Sequence, residues 1–272
     1  MEIHFLGTAA SEGIPNVYCS CAVCEQARSA PGKHRRTRSS ALVDRQIQID
    51  ISPEFTCQLA RDGIDARKIT DLLFTHTHPD HFNIGDLYSR MVGFGHGINQ
   101  TLNLYGNDIA ISECARLLSG YSQERFKLNL AVPFITIERG GYRLTPLLAN
   151  HAVWEFCYLW FIEKDGKSLF YGHDSGWFPE LTWQWLAGKH IDLTVLECTL
   201  GFNGETHPNN HMSIEAILAA QEKLKELGCH DDQSQLVLSH ISHNVKMNHQ
   251  ELEKLMLSHG ILVAWDGLKM EI

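Results

Sequence analysis

Thr75-His76-Thr77-His78-Pro79-Asp80-His81 sets four potential metal ligands, His76, His78, Asp80 and His81, within six residues. The apolar run Leu72-Leu73-Phe74 ahead of it reads as the end of a buried strand. Alternation along an extended segment sends His76 and His78 to one side, and the turn at Pro79 re-aims Asp80 and His81. Such a cluster can feed two metal ions. Imidazole suits zinc, iron or nickel, and a carboxylate widens the choice toward manganese. The plain alternative is a His-rich surface loop that binds nothing, and the strand ahead of the cluster argues against it.

Further ligand types close apolar stretches downstream. His151 follows Thr145-Pro146-Leu147-Leu148, Asp174 follows Leu169-Phe170-Tyr171 inside Gly172-His173-Asp174-Ser175-Gly176, and His240 follows Leu236-Val237-Leu238-Ser239. One such residue is usually a cap or a satisfied polar group. Three that repeat the design of the opening cluster point to strands whose ends meet at one sheet edge.

The elements that must position these residues come in two groups of strands, each followed by helices. Strands are expected at Ile3–Leu6, Ala41–Val43, Ile47–Ile51, Ile69–Phe74 and Leu102–Tyr105, then at Pro133–Glu138, Tyr142–Leu148, Cys157–Glu163, Ser168–Tyr171, Leu193–Glu197, Gln235–Leu238 and Ile261–Ala264. Helices are expected at Pro53–Asp62, Leu181–Ala187, Ile214–Leu227 with Ser213 as N-cap, and Asn248–Ser258. Phe82–Leu130 reads as mostly helical, and Ala9–Arg38 as a long irregular insertion. No linker, repeat or low-complexity tract divides the 272 residues. Hydrophobic residues make up 44%, enough for a substantial core, and no apolar run approaches a membrane span. With 23 basic and 32 acidic side chains the formal charge is −9, which argues against gripping long nucleic acids or anionic membranes. The first residues lack a signal-peptide pattern, so the expected location is the cytoplasm.

Taken together, the motif H-x-H-x-D-H after a strand, followed by His, Asp and His at later strand ends, resembles the metallo-β-lactamase superfamily. All seven positions are filled: His76, His78, Asp80, His81, His151, Asp174 and His240. The resemblance implies an α+β fold, a four-layer αββα sandwich, formed as a single domain over residues 1–272. It also implies a dinuclear site in which His76, His78 and His151 hold one metal, Asp80, His81 and His240 the other, and Asp174 bridges. Two divalent ions, zinc or manganese, can share a water and lower its pKa toward neutrality, giving a bridging hydroxide as nucleophile. Asp80 is therefore counted with the catalytic residues. Asp50, closing Ile47-Gln48-Ile49, is expected to accept a hydrogen bond behind the ligands. The family often reads Asp-x-Gly there; this chain reads Asp50-Ile51-Ser52.

Cys19-Ser20-Cys21-Ala22-Val23-Cys24 packs three thiols too closely for one disulfide. It forms a claw for one structural zinc, short of a ligand that His243, three residues after His240, can supply; free buried thiols are the alternative. The other cysteines, Cys57, Cys114, Cys157, Cys198 and Cys229, read mostly as small buried apolar residues. The claw makes residues 9–40 a zinc-binding insertion. With His240-Ile241-Ser242-His243, Asn150-His151 and Asn210-His211, it is similar to the PhnP phosphodiesterases, a family associated with the carbon–phosphorus lyase pathway of phosphonate use. That resemblance implies hydrolysis of small cyclic phosphodiesters, 5-phosphoribosyl 1,2-cyclic phosphate or 2′,3′-cyclic nucleotides, with His211 as general acid, and makes a homodimer plausible. Arg35, Arg36 and Arg38 either meet a substrate phosphate or form a solvated basic turn. The competing readings are an RNA-processing nuclease or a lactonase on the same fold. Flavodiiron redox chemistry is disfavoured by His78, where that family has Glu, and a non-catalytic member by the complete ligand set.

Overall fold

The computed structural model describes residues 1–118 and 124–272. Its strands are β1 (Glu2–Gly7), β2 (Ser40–Val43), β3 (Ile47–Ile49), β4 (Asp71–Leu73), β5 (Leu102–Gly106), β6 (Phe126–Leu130), β7 (Ile137–Arg139), β8 (Tyr142–Leu148), β9 (Tyr158–Lys164), β10 (Lys167–Gly172), β11 (Leu193–Cys198), β12 (Gln235–Ile241), β13 (Ile261–Val263) and β14 (Lys269–Glu271). The helices are α1 (Ala22–Ser29), α2 (Phe55–Arg61), α3 (Asp108–Leu118), α4 (Glu180–Leu186), α5 (Ile214–Glu226) and α6 (His249–Leu257).

Two seven-stranded sheets result, in the orders β14-β1-β2-β3-β4-β5-β6 and β13-β12-β11-β10-β9-β8-β7. Each is part antiparallel and part parallel: β3 to β6 run parallel in the first, β10 to β13 in the second. Period-2 alternation separates two kinds of apolar contact. Ile49, Leu73, Trp160, Tyr171 and Val237 fill the space between the sheets. Their strand neighbours Leu72, Phe74, Phe170 and Leu238 face helices on the outside. The four-layer αββα sandwich is the outcome. Trp160 Nε1–H donates across it to the Phe74 carbonyl at 3.1 Å, and Tyr158 N–H to the Thr75 carbonyl at 2.8 Å, so the second sheet holds the ligand-bearing loop of the first.

Local signals explain most boundaries. Ser213 caps α5 by accepting from Ala216 N–H, and Asn248 with Glu251 closes a capping box on α6. Four expectations need correction, the first being the strand expected at Pro133–Glu138, which forms only at Ile137–Arg139. Ala9–Arg38 is not wholly irregular, because it contains α1 with Cys24 on its buried side. Phe82–Leu130 holds a 3-10 turn (Ile84–Arg90), α3 and the edge strand β6; residues 119–123 of that stretch lie outside the described residues. Ile261–Val263 is not the last strand, since β14 follows and pairs with β1. Among the described residues no helix is long and apolar enough to cross a membrane.

Candidate active site

The seven ligand-type residues meet at one edge of the sandwich. His76, His78, Asp80 and His81 lie on the loop leaving β4, His151 on the loop after β8 and Asp174 just beyond β10. His240 is the penultimate residue of β12. The pairing of β11 with β12 shifts register after Glu197 opposite Ser239, leaving His240 out of the ladder in a bulge that re-aims its ring. Asp50, Asp174 and His240 all adopt positive φ, 57°, 48° and 48°, a backbone strain concentrated at this edge.

Ligand atoms of His76, His78 and His151 converge to within 4.8 Å of one another, and so do those of Asp80, His81, Asp174 and His240. Between the groups, Asp174 Oδ2 lies 3.4 Å from His76 Nε2 and 2.8 Å from His81 Nε2. The far ring nitrogens are tied off. His81 Nδ1–H donates to Asp50 Oδ2 at 2.7 Å. Thr75 Oγ1 donates to the same carboxylate at 2.7 Å and accepts from His76 Nδ1–H at 3.0 Å. His151 Nδ1–H donates to the Asn210 carbonyl at 3.0 Å, and His240 Nδ1–H to Thr199 Oγ1 at 3.1 Å. These bonds leave the Nε2 lone pairs of four imidazoles facing inward, while His78 presents Nδ1, 3.0 Å from His151 Nε2.

The charges make the same demand. Burial penalises every charge in this cluster. The imidazoles of His240 and His81 nevertheless hold Asp174 well below the usual carboxylate range, and His81 and His240 do the same for Asp80. Against that same burial, Asp174 and Asp80 push His240 up to about 10 and raise His81 as well. His76 moves the other way, kept neutral first by burial and then by the His81 charge. Two buried carboxylates thus draw positive charge into the cluster, and Nε2 of His76 has no hydrogen-bond partner among the described residues. Inward ring nitrogens and carboxylates that draw positive charge to themselves fit divalent cations.

Glu197 was not singled out from the sequence, where it is only an acid closing a buried strand. Its carboxylate is out of solvent, accepts from Ser175 N–H at 2.9 Å and receives His211 Nδ1–H at 2.9 and 3.0 Å. Burial lowers His211, yet the Glu197 charge and hydrogen bond outweigh it and leave the imidazole above its ordinary value. The His211 ring lies 4.8 Å from that of His151 and 5.9 Å from that of His240, beside the ligand groups.

The Cys-x-Cys-x-x-Cys claw also closes. Cys19 and Cys21 Sγ are 3.6 and 3.5 Å from His243 Nδ1, and Cys24 completes a group within 4.8 Å. Burial raises Cys21, but the Cys24 N–H and the His243 ring pull it to about 6; burial and its thiol neighbours push Cys24 up to about 12. Three thiols around one imidazole ionise together only with a cation among them, and the donor set is that of tetrahedral zinc. Of the remaining cysteines, Cys114, Cys157, Cys198 and Cys229 are buried, whereas Cys57 is exposed.

The basic run divides: Arg35 is solvent-exposed, as a solvated turn would have it, whereas Arg36 is not. Arg36 is buried and donates to Thr8 Oγ1, the Ala264 carbonyl and His249 Nδ1. Arg35 holds the Ala27 and Arg28 carbonyls at the end of α1, and Arg38 pairs with Glu54. Ser52, in place of the family's glycine, is buried and donates to Gln58 Oε1 at 3.1 Å.

Residues 45–241 match the beta-lactamase superfamily domain. The chain belongs to the beta-lactamase superfamily. This superfamily member is similar over its whole length to a diphosphatase of the PhnP family, with 25% identity, a TM-score of 0.77 and 97% of that chain covered. Zn(2+)-bound PqqB from Methylobacterium extorquens shares the fold at 19% identity and a TM-score of 0.76, each chain fully covered. An octanoyltransferase of Porphyromonas gingivalis is 27% identical over 282 residues, which is 99% of this chain and 51% of the transferase. The chain thus spans about half the length of that relative. Its fold and family match go with a His/Asp donor set at the sheet edge that suits divalent metal ions.

Proposed function

We propose that the protein is a metal-dependent phosphodiesterase for small cyclic phosphodiesters, the class to which 2′,3′-cyclic nucleotides and 5-phosphoribosyl 1,2-cyclic phosphate belong. The observation that carries this reading is the placement of His211. An imidazole oriented by a buried carboxylate stands at the rim of a cluster of seven ligand-type residues.

His76, His78 and His151 would hold one divalent cation and Asp80, His81 and His240 a second, with Asp174 between them; zinc and manganese both suit these donors. Cations held there supply an acidified water and positive charge for the phosphoryl oxygens. Glu197 fixes the His211 tautomer with Nδ1–H toward itself, leaving Nε2 for the substrate. Protonated at Nε2, His211 hands its proton to the departing alkoxide as the phosphorus–oxygen bond breaks. Opening a ring keeps the leaving hydroxyl on the product, so the acid must be fixed relative to the cluster, and the Glu197 contact fixes it. The claw Cys19, Cys21, Cys24 and His243 would hold one structural zinc.

A second reading, hydrolysis of a carboxylic ester or lactone, draws support from the octanoyltransferase relative. Turnover of 2′,3′-cyclic AMP, bis(p-nitrophenyl) phosphate and a γ-lactone by metal-loaded protein separates the two. The phosphodiesterase reading requires kcat/KM on the cyclic nucleotide to exceed that on the lactone, and the reverse order overturns it.

A further inference from the structure

We infer that Trp154 is a stacking platform for a heterocyclic base, so that the substrate is a phosphodiester bearing a nucleobase rather than a bare sugar phosphate. The inference rests on the phosphodiesterase reading and narrows it.

Trp160 and Trp183 are buried, whereas Trp154 is 63% exposed. Isolated exposed aromatics are ordinary, but this one has a specific address. Its ring centroid lies 5.5 Å from that of His78, the planes inclined at 49°. It sits three residues after His151, on the loop between β8 and β9.

That loop is pinned on both sides of the indole. Next to Trp154, Glu155 Oε1 accepts from Thr77 N–H at 3.1 Å and Thr77 Oγ1 at 2.8 Å, while Oε2 accepts from Asn107 Nδ2 at 2.7 Å. Asn107 Nδ2 also donates to the Phe156 carbonyl at 2.8 Å. Thr77 stands between His76 and His78. The backbone that carries the indole is therefore tethered to the same segment as two ligand-type residues, and the ring itself leans on His78. A flat apolar face in ring contact with His78, at the lip of a phosphate site, suits a base attached through ribose. Arg36 is buried against Thr8, Ala264 and His249 and Arg38 is paired with Glu54, so neither is free to meet a second phosphate.

The test compares wild type, Trp154→Ala and Trp154→Phe on 2′,3′-cyclic AMP and on methyl riboside 2,3-cyclic phosphate, which lacks a base. The ratio of kcat/KM for the first over the second is expected to fall about ten-fold or more in Trp154→Ala, mainly through KM, and to recover most of the way in Trp154→Phe. An unchanged ratio overturns the platform even if both activities drop together. Tryptophan fluorescence titrated with 3′-AMP gives a readout without turnover: quenching in wild type that disappears in Trp154→Phe supports the platform, and its absence in wild type overturns it. If wild type cleaves neither ester, the phosphodiesterase reading itself has failed, and the fluorescence titration alone then decides whether a base binds here.

Discussion

Both carboxylate oxygens of Glu197 lie within 3.0 Å of Nδ1 of His211, so one buried acid sets the tautomer and the charge of the ring beside the metal ligands. Glutamine at 197 keeps an acceptor for Nδ1–H but removes the charge. The folded pKa of His211 is raised, so the acid form persists above pH 6.5 and activity is lost as pH climbs through that raised value. Glu197→Gln should move this alkaline limb of kcat to lower pH, while His211→Ala should cut kcat by about 10²–10⁴ on alkyl esters and far less on nitrophenyl esters. An alkaline limb at the wild-type pH in Glu197→Gln would show that the carboxylate does not position a titrating acid.

Asp50 serves both ligand groups, His81 directly and His76 through Thr75. Asp50→Ala should weaken binding at both subsites by about 10–100-fold each, whereas Thr75→Val should weaken chiefly the His76 side. Metal titrations followed by calorimetry read the two affinities separately. Equal effects from the two variants would refute this wiring.

Gly176 has no room for a side chain, because a Cβ there would come within 2.1 Å of the Pro208 carbonyl oxygen. Trp177 N–H binds that same carbonyl, three residues before His211. Gly176→Ala should therefore push the 207–211 segment outward and lower kcat on alkyl esters at least ten-fold, with circular dichroism unchanged. Full activity in this variant would mean that the segment tolerates displacement.

Cys21→Ser should release one zinc per chain and lower the melting temperature. Because His243 shares a short segment with His240, activity should fall as well, although Cys21 is no part of the catalytic group. Metal analysis beside kcat checks both statements, and zinc content unchanged by the substitution would remove the claw.

Burial holds His230 at about 4 in the folded state, below its ordinary 6.5, with its Nε2 2.8 Å from Thr194 Oγ1. The unfolded chain takes up this proton first as pH falls. Stability from the neutral ring is thus complete above pH 6.5 and declines between about 6.5 and 4. His230→Gln should show a shallower loss of melting temperature across that window. A slope identical to wild type would mean that other groups carry the acid sensitivity.

That seven ligand-type residues would meet at one sheet edge was legible because they follow the apolar stretches 72–74, 145–148, 169–171 and 236–239, and type and position together are local information. Glu197 was not, since an acid at the end of Leu193–Cys198 looks like any polar strand end until the fold sets His211 against it. Nor was Arg36 legible: a cation in a basic run reads as solvated, and its burial depends on Thr8, Ala264 and His249, each remote in sequence. β6 and β14 were missed for a shared reason. Both are edge strands, with Lys127 and Asn129 in one and Lys269 and Glu271 in the other, so neither shows the apolar run that marks a central strand. α1 was hidden by a cysteine pattern that suggested chemistry rather than periodicity.

His76, His78, Asp80 and His81 belong to the first sheet's side of the site, and His151, Asp174 and His240 to the second's. Cations gripped by both sets would act as a rivet through the sandwich. Removing them with a chelator would then cost the chain its grip at this edge first, where the strained backbones of Asp50, Asp174 and His240 press to relax. An unloaded molecule would be the one that gapes toward proteases, so the protein's lifetime in a cell would track its metal supply as closely as its turnover does.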